Sequence, residues 1–240
     1  MDRRYQVARK DAVARKADAV LLDFEKALSM SKAVISRSES EIQRLAQSAR
    51  QLYSTYYKLR DAEVRLPDGN EWDILRELAE TVLFPDYKQQ IRFGALSLDR
   101  GGLQNYGECA IVLRDGMISH RASVFEENSA LFVERHGVKI SKKPKLPKGY
   151  RATWAERAKL GVAKLYSQID STTIPDKYSR ILLSGGATSE DDDFIEVHIF
   201  GPITVLTMEQ VIVMASKTSK RATIIRAIKS KLAKHNVQVN

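Results

Sequence analysis

The chain has 240 residues, 43% of them hydrophobic, and a net charge of +9, enough apolar material for a sizeable core in one domain or a domain plus an extension. No apolar run approaches the roughly 18 residues that would suggest a membrane span. MDRRYQVARKDAVARK lacks the apolar core of a secretory signal, and Asp2, Asp11 and Asp18 argue against a transit peptide. The single cysteine, Cys109 in CAIVL, excludes an internal disulfide and fits a buried thiol in a reducing compartment. The expectation is a soluble cytoplasmic protein with no membrane partner.

Residues 1–63 contain neither Pro nor Gly and read as helix throughout. Val13, Ala17, Val20, Phe24, Ala27, Ser31 and Val34 form one stripe, and Ile42, Leu45, Ala49, Leu52, Tyr56 and Leu59 a second. The stripes are out of phase, and Ser38 followed by Glu41 has capping-box spacing, so the segment is one long helix or a helical hairpin. Residues 1–64 are therefore expected as a helical extension. Residues 13–59 would offer its stripes to a second copy or a helical partner.

RLPDGNEWD marks a boundary, after which EWDILRELAETVLF reads as a helix with Trp72, Leu75, Leu78, Ala79 and Val82 on one face. IRFGALSL, ECAIVLRD and RASVFEENSALFVER are β-rich runs separated by glycine-bearing turns. YRATWAERAKLGVAKLYSQI returns to helix, YSRILLSGG and DFIEVHIFG read as strands, and TMEQVIVMA as a helix or a last strand. TSKRATIIRAIKSKLAKH closes the chain as a basic amphipathic helix with Ile224, Ile225, Ile228 and Leu232 inward. Without regular βαβ alternation, residues 65–240 are predicted as an α+β domain: a mixed or antiparallel sheet with flanking helices.

The positive charge is localised. Lys139, Lys142, Lys143, Lys145, Lys148 and Arg151 lie in a run with no acid, and no Asp or Glu occurs from Val211 to Asn240. In that second stretch Lys217, Lys220, Arg221, Arg226, Lys229 and Lys231 would attract nucleic acid or an acidic protein.

The chain has no Walker loop, Gly-x-Gly-x-x-Gly, nucleophile elbow or HExxH. Its four histidines are scattered, and there are no paired cysteines for zinc. The candidate chemistry centres on DDDFIEVHIF. Strand alternation puts Ile195, Val197 and Ile199 on a core face and Phe194, Glu196, His198 and Phe200 on the other. A carboxylate and an imidazole between aromatics fit a partly apolar cleft. In HRASVFEENS, Ser123, Phe125 and Glu127 share a face, with Asn128 and Ser129 just beyond. Arg92, in IRFGALSL, is a strand arginine suited to anchoring a pyrophosphate.

Arg92 on an early strand, Ser123 near a middle strand and Glu196 on a late one resemble the Arg–Ser–Glu form of the ADP-ribosyltransferase superfamily, over roughly residues 92–213. The resemblance implies NAD as cofactor, with Arg92 on the diphosphate, Ser123 bracing the site beside Phe125, and Glu196 stabilising the oxocarbenium-like transition state as nicotinamide leaves. ASVFEENS stands where the family has Ser-Thr-Ser, Phe194 where it has a second acid, and His198, the other candidate catalytic residue, matches no family position. Two further readings remain open. One is a metal-dependent nuclease with Asp193, Glu196 and His198 around Mg²⁺; the other is a non-catalytic module that docks a polyanion through the C-terminal helix.

Overall fold

The computed structural model describes residues 1–53, 71–139, 145–214 and 219–240. It is an α+β fold built on one eight-stranded sheet. In chain order the elements are α1 (Asp2–Ala14), α2 (Asp18–Ser29), β1 (Lys32–Arg37), α3 (Glu39–Leu45), α4 (Glu71–Leu83), β2 (Ile91–Ser97), β3 (Cys109–Leu113), α5 (Asp115–Ile118) and β4 (Ala122–Phe125). There follow α6 (Ser129–Arg135), β5 (Arg151–Thr153), α7 (Arg157–Leu165), α8 (Tyr178–Leu182), β6 (Leu183–Ser184), β7 (Asp193–Phe194), β8 (Glu196–Phe200), β9 (Met208–Val213), α9 (Ser219–Ala233) and β10 (Gln238–Val239). The sheet order is β10-β9-β3-β1-β2-β8-β4-β5, antiparallel except for the β10–β9 pair, while β6 and β7 form a separate small ribbon.

The N-terminal helices expected from the sequence are present as α1 and α2, but the segment is not helical throughout. Helix α1 ends at Ala14 with Arg15 as its cap, and the φ of 58° at Lys16 lets its N–H reach Val13 O (3.1 Å) and that of Ala17 reach Ala12 O (2.8 Å). This is a Schellman stop with lysine where glycine is usual. Residues 32–37 then form β1, between β3 and β2 in the sheet, so the described residues of this segment are not helical throughout and contribute a strand to the main sheet. Ala17, Phe24, Ser31, Val34, Ile42 and Leu45 are buried within the chain itself, whereas Val13 and Leu52 are exposed. The buried members of both stripes are thus core of the same molecule. Ser38 does cap α3, accepting from Glu41 N at 3.4 Å. Tyr56, Leu59 and the boundary expected at residue 64 lie outside the described residues.

Each face of the sheet has its own cover. On one, Leu21, Phe24 and Leu28 of α2 and Leu160 and Leu165 of α7 pack on Ile35, Ile111, Val197 and Ile199. Here α2 and α7 approach closely: a Cβ on Gly161 would lie 2.7 Å from Leu28 Cδ1. Opposite, α4 and α6 bring Ala79, Val82, Leu83, Phe132 and Val133 over Ile91 and Phe125. Beside them Val34, Ala95, Val112 and Phe194 lie under Leu103. Between these two small clusters the sheet is open, and that gap is the cleft described below.

Helix α4 follows the predicted span, with Ala79 and Val82 buried; the side chain of Trp72 lies outside the described residues. YSRILLSGG is mostly the helix α8, and only Leu183–Ser184 are extended. TMEQVIVMA resolves as the strand β9. On α9, Ile228 and Leu232 are buried but Ile224 is exposed. Among the described residues no helix is long and apolar enough to cross a membrane.

Candidate functional site

The pair that interrupts β8 sits on the floor of the gap. Cross-strand register puts Phe93 and Ser123 on either side of His198, and Ala95 and Phe125 on either side of Glu196. As alternation requires, Ile195, Val197 and Ile199 point into the opposite core. Glu196 is 6% exposed and His198 2% exposed.

Glu196 is held on one side only. Its Oε2 lies 2.8 Å from His198 Nε2 and accepts from the N–H of Ser129 at 3.1 Å, at the start of α6. Oε1 has no protein partner among the described residues. His198 is enclosed by aromatic rings, edge-on to Phe84 (4.8 Å between centroids) and Phe93 (5.3 Å). Burial lowers the imidazole pKa, and the hydrogen bond to Glu196 offsets this only in part. The ring is therefore neutral near pH 7, and its contact with Glu196 is a hydrogen bond rather than an ion pair. With the proton on Nε2, the Nδ1 lone pair faces Arg151 Nη2 at 3.4 Å. Arg151 is itself placed by the rings of Phe84 and Phe125, 4.9 and 5.6 Å from its guanidinium. The row Arg151–His198–Glu196 fixes the tautomer and leaves a single carboxylate oxygen for use.

Above Glu196 is a cavity of about 110 Å³, walled by Phe93, Tyr106 and Phe194 and by Asn128, Arg76 and Glu80. This is below the roughly 150 Å³ of an engineered apolar cavity that takes up benzene, so it has room for at most one small ring, with any larger remainder outside. Two tethered loops build its roof. Gly102 lies against β1, where a Cβ would come within 2.3 Å of Ser36 Oγ, and Leu103 N donates to that oxygen at 2.9 Å. This seats Tyr106, whose hydroxyl accepts from Asn128 Nδ2 at 3.3 Å. Burial pushes the phenol pKa far above its usual range, and the charges of Glu196 and Asp192 push it further. At the wall, Arg76 lies over Phe93 (5.7 Å) and donates through Nε to the buried Glu80 at 2.9 Å.

The three aspartates before β8 have structural tasks. Asp191 Oδ2 accepts from Thr188 N and Oγ1, closing its own turn. Asp192 Oδ1 accepts from Gly186 N (2.8 Å) and Asn105 Nδ2 (3.0 Å), tying the 185–192 loop to the Tyr106 loop. Asp193 binds Lys164. Asp193 thus turns to α7 and not to Glu196, and among the described residues no three His, Cys, Asp or Glu side chains are placed to hold a metal.

Of the residues singled out in the sequence, Glu196, His198, Ser123 and Phe125 share this face. Arg92 does not. Its register partner is Ile199, so it projects from the opposite face, and the convergence of Arg92, Ser123 and Glu196 is not found. Tyr106, Arg76, Glu80 and the role of Arg151 were missed. Arg151 stood in the basic run, and the only sign that set it apart was its place in the short extended stretch YRAT.

On α9, Arg226, Lys229 and Lys231 are exposed; Lys217 and the side chains of Lys220 and Arg221 lie outside the described residues, as do Lys142 and Lys143. No protein-family model matches the chain, and no curated protein is significantly similar to it.

Proposed function

We propose that the cleft cleaves an N-glycosidic bond, with NAD as glycosyl donor and Glu196 as the carboxylate that stabilises the developing ribosyl cation. The observation that carries this reading is the one-sided hold on Glu196: Oε2 is fixed by His198 and Ser129, while Oε1 is unpartnered in the wall of a ring-sized cavity. A preorganised carboxylate needs no reorganisation as charge develops. The donor follows from the proton balance. When the C–N bond of NAD breaks, the electron pair goes to the pyridinium nitrogen and nicotinamide leaves neutral, so no acid is needed. A water or acceptor nucleophile then bonds to the ribosyl carbon and passes its proton to Glu196 Oε1 or to solvent water. An O-glycoside would need a second, protonated carboxyl group, and Glu80 is tied to Arg76. The aromatic walls Phe93, Tyr106 and Phe194 suit a nicotinamide ring; Arg92 takes no part.

Binding tests this directly. Nicotinamide and NAD should each raise the thermal midpoint of the wild type, and Tyr106→Ala should remove both shifts. Midpoints unmoved by either ligand would contradict the reading.

A second reading is favoured by the exposed Arg226, Lys229 and Lys231 on a helix without acids: docking of a nucleic acid or acidic partner on α9. It predicts salt-dependent association that Glu196→Gln leaves unchanged.

A further inference from the structure

On the face of the sheet away from Glu196, at the corner where β2 begins and β8 ends, two arginines meet without an acid. Arg92 is 5% exposed; its Nη1 donates to Gln90 O at 2.6 Å, and its buried Nε has no partner. Arg121, in the turn before β4, donates through Nε to Met117 O at 2.9 Å and through Nη1 to Phe200 O. The backbone draws both to one place: Gln90 O also accepts from Gly201 N, and Arg121 O accepts from Phe200 N, each at 2.9 Å.

Among the described residues no carboxylate pairs with either guanidinium, and the outer Nη2 of each has no protein partner. Burial lowers the pKa of both arginines, and the charge of Arg121 lowers that of Arg92 further. A buried cation beside a like charge is costly unless an anion offsets it. Gly201 borders the pair: its φ is 82°, and a Cβ there would lie 3.3 Å from Arg121 Nη1.

We propose that Arg92 and Arg121 form a phosphoryl-binding site separate from the Glu196 cleft. Two Nη2 groups arriving from different elements can each donate to a different oxygen of a tetrahedral phosphoryl group. The site rests on no reading of the cleft, and either can fail alone.

The test is a thermal-shift titration with millimolar inorganic phosphate and pyrophosphate, matched in ionic strength with chloride and compared with acetate. It is run on the wild type, Arg121→Gln, Arg92→Met and Glu196→Gln. Pyrophosphate should raise the wild-type midpoint by about 2 °C or more. Glu196→Gln should keep that rise, and Arg121→Gln should lose it. Arg121 is only half-buried, so this variant decides the matter even if Arg92→Met does not fold. A wild type that does not respond, an equal response in Arg121→Gln, or an equal response to acetate would overturn the proposal.

Discussion

Replacing His198 with Leu tests the chain that holds Glu196. The two side chains are similar in size, so the cavity term is small, and the main loss is the bond from Nε2 to Glu196 Oε2 at 2.8 Å. A buried hydrogen bond to a charged group contributes about 1.5–3 kcal/mol. Arg151 Nη2 also loses its 3.4 Å partner, a weaker contact. The expected loss is about 2 kcal/mol at pH 7.5, or about 4–8 °C in midpoint for a chain of this length. The pH dependence carries a sign. The folded-state pKa of His198 is lowered, so the unfolded chain binds the proton more readily. Stability from this group is therefore present above the ordinary histidine pKa of about 6.5 and lost as the pH falls below it. Wild type should lose stability between pH 7.5 and 5.5 faster than His198→Leu, so the gap between them should narrow toward acid. Urea denaturation at the two pH values measures this. A variant as stable as the wild type at pH 7.5, or a gap that widens toward acid, would refute the reasoning.

Two predictions concern the fold alone. Gly161→Ala places a methyl group 2.7 Å from Leu28 Cδ1 in a packed helix contact. Overpacking of about 1–3 kcal/mol against a helix-propensity gain of about 1 kcal/mol leaves a net loss near 1 kcal/mol, which Leu28→Val in the same chain should reduce in denaturation curves. Lys16→Gly should gain up to about 1 kcal/mol, because glycine takes the φ of 58° without the strain a side chain brings; no gain in midpoint would remove the Schellman stop from the account.

How much was legible in the sequence depends on the range of the forces involved. The two faces of β8 and the span of α4 follow from local alternation and periodicity, and both were readable. The strand β1 was not. It is buried on both faces, so AVIS has no polar alternation, and Ser31 and Val34 happen to continue a helical spacing. The Schellman stop was hidden because lysine stands where glycine would have announced it. At the site, Glu196 and His198 were found because an ionisable pair in an apolar strand is anomalous by itself. The face of Arg92 was misjudged for a different reason. Its face is set by register with Ile199, 107 positions away in the chain, and register is a tertiary fact. Tyr106 and Arg151 reach the site from a loop and a three-residue strand, through contacts with no local signature.

The most direct test of the central claim is release of nicotinamide from NAD by the wild type and by Glu196→Gln, with folding of both checked by circular dichroism. Glutamine keeps the shape of the side chain and removes its charge, so the account predicts release by the wild type and a drop of about 10²–10³-fold in the variant. Equal rates in the two proteins, or no release by a well-folded wild type, would contradict it.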